Sequence, residues 1–103
     1  MYVAIRLYDG VKNADEAIAK AQHDFLPLIS KISGFQEYYA VKSGPDSLVT
    51  FSIFKDKPGA DESVKAASRW VQTTIPRLMP NPPKVHGGEV AIHKAVPSKK
   101  AAA

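Results

Sequence analysis

Phe35-Gln36-Glu37-Tyr38-Tyr39-Ala40-Val41-Lys42, then the cluster Ser43-Gly44-Pro45-Asp46, then Leu48-Val49-Thr50-Phe51-Ser52-Ile53-Phe54, is the stretch whose reading decides the fold. Aromatic and β-branched side chains crowd both flanks, as suits a pleated, half-buried surface. The glycine, proline and aspartate between them supply turn conformations. A link this short predicts two neighbouring antiparallel strands, a hairpin at the centre of the chain.

Upstream of the hairpin, Ser33-Gly34 closes a helical pattern, with glycine free to take the left-handed conformation of a helix C-terminus. Ile18, Ala21, Phe25, Ile29 and Ile32 recur every three or four residues and define one apolar stripe. Asn13 followed by Glu16 has capping-box spacing, which starts the helix near Ala14. Pro27 lies inside the stripe, where its missing N–H and its ring predict a kink. Further upstream, Tyr2 to Tyr8 alternates as a strand, Val3, Ile5 and Leu7 on one side and Tyr2, Ala4, Arg6 and Tyr8 on the other.

Downstream, Lys55-Asp56-Lys57-Pro58-Gly59 reads as punctuation, and Val64, Ala67, Val71, Ile75 and Leu78 form a second helical stripe with Pro76 late in it. After Pro80-Asn81-Pro82-Pro83, the run Val85 to Lys94 predicts a fourth strand with a bulge or close backbone approach at Gly87-Gly88. The domain is expected over 1–94, and the tail 95–103 is expected to be disordered.

The order strand-helix-strand-strand-helix-strand predicts an α+β, ferredoxin-like βαββαβ fold: a four-stranded antiparallel sheet with two helices on one face. Four strands at ~4.8 Å spacing and six residues at ~3.3 Å leave the other face bare over roughly 400 Å². This reading puts Tyr2, Ala4, Arg6 and Tyr8 there, together with apolar groups of strand three. Such a patch marks an interaction surface. Stacking two copies would bury about 800 Å², at most ~20 kcal/mol against association costs of ~4 to 15, so a homodimer through the sheet face is expected.

Composition narrows the function classes. The 103-residue chain suits one domain, and it has no cysteine and therefore no thiolate chemistry. The formal charge is +4, but with Lys94, Lys99 and Lys100 set aside residues 1–93 hold 11 basic against 10 acidic groups, interspersed. Nucleic-acid binding needs clustered phosphate contacts and is not expected. No stretch is long and apolar enough for a bilayer, and the N-terminus lacks a basic leader, which makes a cytoplasmic location the default. Scattered histidines without a His-x-x-x-His or clustered carboxylates give no metal site, and no phosphate loop or Gly-x-Ser-x-Gly element is present.

Several of these residues together are familiar: the alternating first strand, Phe25-Leu26-Pro27-Leu28-Ile29, Ser33-Gly34-Phe35 leading into a tyrosine-bearing strand, and Phe51-Ser52-Ile53-Phe54-Lys55-Asp56 before a Trp-bearing helix. Over about residues 1–94 the chain resembles the antibiotic biosynthesis monooxygenase-like family of dimeric α/β barrels. The resemblance implies two sheets facing each other across a dimer, a cavity between sheet and helices in each subunit, and, in some members, oxidation of polycyclic phenols without metal or flavin. It gives little support to the haem-degrading branch. That branch would place an asparagine on strand one, where Arg6 stands, and a histidine about ten residues beyond the tryptophan, where Pro80 stands.

The implied function is a cofactor-independent monooxygenase acting on a small aromatic or quinol-like compound. The alternative is a non-catalytic, small-molecule-binding or stress-related homodimer of the same fold. Such oxygenation needs a base, orienting polar groups and a dry pocket. Imidazole titrates near neutral pH, which makes His23 and His86 the candidate catalytic bases, with His93 also eligible. Trp70, Tyr39 and Tyr38 are the candidate substrate-binding residues, offering flat apolar area with a polar handle. Arg6 could hold an acidic group of the substrate, although an ion pair with Glu89 is the reading favoured from sequence.

Overall fold

The computed structural model describes residues 1–97. Its elements are β1 (Tyr2–Tyr8), α1 (Ala14–Lys20), a π-helical segment (Ala21–Phe25), α2 (Leu26–Ser30), β2 (Phe35–Gly44), β3 (Ser47–Phe54), α3 (Lys57–Thr74) and β4 (Lys84–Glu89). The four strands form one antiparallel sheet in the order β2-β3-β1-β4. This is the ferredoxin-like α+β arrangement, with α1, the π-helical segment and α2 as one layer beside α3 on a single face.

Local chemistry explains most boundaries. The Asn13 side chain accepts the Glu16 backbone N–H at 3.1 Å and caps α1. Gly34 has φ +87° where the chain leaves α2 for β2. Pro58 sits in the first turn of α3, where a missing N–H costs nothing, so the punctuation at Pro58-Gly59 is a helix start and not a break. At Gly59 a Cβ would lie 2.6 Å from the Phe54 ring and 2.9 Å from the Ser33 carbonyl oxygen, and only glycine lets α3 approach β3 this closely.

The two late prolines behave differently. Pro27 is taken up inside the first helical layer behind the π turn, in which the Leu26 N–H reaches the Ala21 carbonyl. One extra residue per turn shifts the hydrogen-bond register just where proline would otherwise interrupt it. Pro76 follows the end of α3 at Thr74, and Ile75, Leu78 and Met79 bury their side chains from the irregular segment beyond. β4 is shorter than the sequence predicts. It stops at Glu89, and residues 90–97 carry no regular structure apart from the Val90 N–H bond to the Met1 carbonyl. Of the expected tail, 98–103 lie outside the described residues.

The main correction concerns the two sides of the sheet. Ala4, Arg6 and Tyr8 of β1 are buried beneath the helices, together with Leu48, Thr50, Ser52 and Phe54 of β3. Val3, Ile5 and Leu7 face the open side with Val49, Phe51 and Ile53, all only half-buried. Alternation distinguishes the sides of a strand but does not say which one is covered. Here the covering helices present small residues inward, Ala14, Ala17, Ala60 and Ala67 among them, and they close over the side that carries Ala4 and Ser52.

Candidate functional site

Strand register assembles the site. β1 and β3 pair with Arg6 opposite Thr50 and Ala4 opposite Ser52, which places arginine, threonine and serine together on the covered face. Tyr38 on β2 lies opposite Ser52 and extends the group. From above, the π turn brings down Phe25, which is 2% exposed, and α3 brings Trp70, 8% exposed. Phe25 and Trp70 lie with ring centroids 5.4 Å apart at 32°, and Tyr38 meets Phe25 edge-on at 5.9 Å. This is a wall of aromatic rings over a polar floor.

Arg6 is 1% exposed. Its Nη2 donates to Ser52 Oγ at 3.1 Å, and its Cζ lies 5.8 Å from the centre of the Phe25 ring. Among the described residues the Nε and Nη1 atoms have no partner at hydrogen-bonding geometry, and neither have Thr50 Oγ1 and Trp70 Nε1. Among the described residues these are the buried side-chain nitrogen and oxygen atoms left unsatisfied, and their three residues line a single cavity. Unmet buried polar groups are rare in folded proteins, and their convergence on one space makes that space the candidate site.

The cavity has a volume of about 30 Å³, room for roughly two waters. It adjoins a groove of about 160 Å³ that shares Ile18, Ala21, Tyr38 and Ala40 with it and continues along Gln22 and Leu26. Burial pushes the phenols of Tyr8 and Tyr38 above their ordinary range, and the Arg6 charge offsets this only in part. Both are therefore neutral hydrogen-bonding groups at neutral pH. The cavity lining includes no carboxylate, imidazole or thiol, and no cluster of metal-ligating side chains occurs among the described residues.

Of the substrate-binding candidates named from sequence, Arg6, Tyr38 and Trp70 line one cavity. The favoured Arg6–Glu89 pair does not form, because Glu89 aligns with Tyr2 while Arg6 aligns with Val85. His23 lies on the outside of the π turn, its side chain 88% exposed and its Nδ1 2.6 Å from Asp24. His86 is exposed on the edge strand β4 opposite Ile5, which puts it on the open face, and His93 is exposed in the segment after β4. Tyr39 also faces the open side, across from Phe51, with its hydroxyl donating to Glu37 at 2.9 Å. Tyr8, Thr50 and Ser52 were missed. A polar period of two at Thr50 and Ser52 beneath apolar neighbours was the available signal.

Among the described residues no helix is long and apolar enough to cross a membrane. No protein-family model and no curated protein matches the chain. Solved structures do match. NE2512, a protein of unknown function from Nitrosomonas europaea, superposes with TM-score 0.69 at 22% identity over 94% of this chain and 96% of its own. A monooxygenase from the gene ActVA-Orf6 of Streptomyces coelicolor, in complex with nanaomycin D, gives 0.68 at 15% identity over 94% and 92%. SnoaB, a cofactor-independent oxygenase from Streptomyces nogalater, gives 0.59 at 12% identity over 94% and 98%. The chain has the fold of the antibiotic biosynthesis monooxygenase-like proteins. At these identities the likeness is one of fold.

Proposed function

We propose that the protein is a cofactor-independent monooxygenase acting on a small aromatic or quinol-like compound, working as a homodimer joined through the open sheet faces. The observation that carries this reading is the cavity beneath the helices, where donors on Arg6, Thr50 and Trp70 lack partners among the described residues beside packed aromatic rings. Two fold neighbours are oxygenases by name, one of them cofactor-independent, and they lend support at the level of architecture.

The chemistry asked of the site is modest. An electron-rich anthrone-type ring loses two hydrogens from one carbon and gains one oxygen atom of O₂, and the second oxygen leaves as water. Both electron pairs come from the substrate. The chain's part is to hold the ring in the groove beside Tyr38, Gln22 and Leu26, to place the donors of the cavity at its oxygen, and to keep water out of the reacting volume. The second reading, a binding homodimer without catalysis, draws on the lack of an imidazole or carboxylate in the cavity.

Oxygen uptake by the purified full-length protein with a panel of anthrone-like phenols, without added metal or flavin, separates the two. Uptake that falls at least about tenfold in Trp70→Ala supports the enzyme. Saturable binding with no uptake above buffer gives the binding module.

A further inference from the structure

Arginine keeps its proton in a protein, so a buried guanidinium must find its countercharge elsewhere. Arg6 finds none among the described residues. Its surroundings are the Ser52 hydroxyl, the Phe25 ring and two neutral phenols, and the buried polar residues, Arg6, Thr50, Ser52 and Ser63, include no acid. Among the described residues Nε and Nη1 have no partner at hydrogen-bonding geometry, the phenols of Tyr8 and Tyr38 interacting with Arg6 only from beyond it, and the Trp70 indole N–H and Thr50 hydroxyl line the same cavity. A cation and several donors directed at one small volume, with no acceptor bearing charge, is the complement of an oxyanion. The cavity suits the charged head of a ligand, and the adjoining groove along Gln22 and Leu26 suits the remainder of a flat ring.

We infer that the protein binds its aromatic ligand as an oxyanion with Arg6 as the counter-ion, and that Arg6, in place of an imidazole base, draws a phenolic or enolic ligand into its ionised form. This rests on the proposed function and deepens it. The proton released from the ligand O–H passes to solvent through the groove, and no side chain need accept it. Ionisation raises the electron density of the ring, which is the state that reacts with O₂. The exposed position of His23 and the open-face position of His86 are then no obstacle to chemistry in the cavity.

Three probes of one shape test this: 2-naphthoate, charged at neutral pH; 2-naphthamide, its neutral counterpart; and 2-naphthol, whose ionisation is read by absorbance. Binding to the full-length protein should favour naphthoate over naphthamide by at least about tenfold, and bound naphthol should ionise about one to three pH units lower than free. Arg6→Gln, shown to unfold cooperatively, should reduce the preference to within about twofold and remove the naphthol shift, while Arg6→Lys should keep part of both. Equal binding of naphthoate and naphthamide, or a preference that survives Arg6→Gln, would overturn the inference. A naphthoate preference without a naphthol shift would keep the anion site and overturn the ionising role. Equal binding with oxygen uptake intact ends the charge assignment alone, whereas no binding of any probe and no uptake from any phenol ends the proposed function as well.

Discussion

The two faces of the sheet reverse the usual division of labour. Beneath the helices lie Arg6, Thr50, Ser52 and the ring of Tyr38; on the side without helices lie Val3, Ile5, Leu7, Val49, Phe51 and Ile53. A face buried for stability alone would carry the aliphatic set, because an unpaired polar group loses its water without gaining a partner. The polar side is covered yet left unsatisfied, which fits a site that a ligand completes. The apolar side is bare, which fits an interface that a second copy completes. Each face lacks something, and what it lacks differs.

Phe54, fully buried where Gly59 and Ala60 of α3 pack on β3, tests the covered face as a core. Phe54→Ala should cost about 3–5 kcal/mol in urea unfolding. A cost below ~1 kcal/mol would mean that the helices rest loosely on the sheet. On the open face, Phe51→Asp should raise the dimer dissociation constant by about a hundredfold or more, since a carboxylate would enter an apolar contact. Light scattering reads the shift toward the 11.2 kDa chain, and a wild type already monomeric at high micromolar concentration would refute the interface.

Smaller effects probe the unsatisfied groups. Arg6→Met, removing a buried charge without a counter-ion, should stabilise the ligand-free protein by about 1–4 kcal/mol while oxygen uptake is lost. Marked destabilisation would show that the guanidinium is already satisfied in the free protein. Thr50→Val keeps the side-chain shape and deletes a hydroxyl without a partner, so a gain of about 1 kcal/mol is expected, together with weaker ligand binding. The smallest effect is at alkaline pH. The Tyr38 phenol titrates above its ordinary 10.0 because it is buried. The folded state therefore holds a proton that the unfolded chain has released, and stability present below pH 10 is lost as pH rises above it. Tyr38→Phe should reduce that alkaline loss, and an unchanged slope between pH 9 and 11 would place the phenol in water.

Much of the architecture was legible locally. Asn13 caps the first helix, Gly34 takes the left-handed conformation, the Ser43–Asp46 cluster turns the hairpin, and the apolar stripes contain the buried Phe25, Ile29 and Ala67. The prolines were half legible. Pro27 and Pro76 occupy similar places in similar patterns, but a π turn behind Pro27 lets Phe25 and Ile29 stay buried on either side of it, while the helix before Pro76 simply ends. Of the site, Arg6, Tyr38 and Trp70 could be named from residue chemistry. Tyr8, Thr50 and Ser52 could not, because their membership depends on strands that meet across 40 or more residues of sequence.

Sequence by itself determined the order of elements, the antiparallel hairpin and the existence of two unlike sides on β1, because capping, turn chemistry and periodicity act over a few residues. Which side of β1 the helices cover was decided only in three dimensions. Small residues on the helices set how closely they settle, and the β1–β3 register sets whose side chain lies beneath them. That choice turns Arg6 from a surface cation into a buried one without a counter-ion among the described residues.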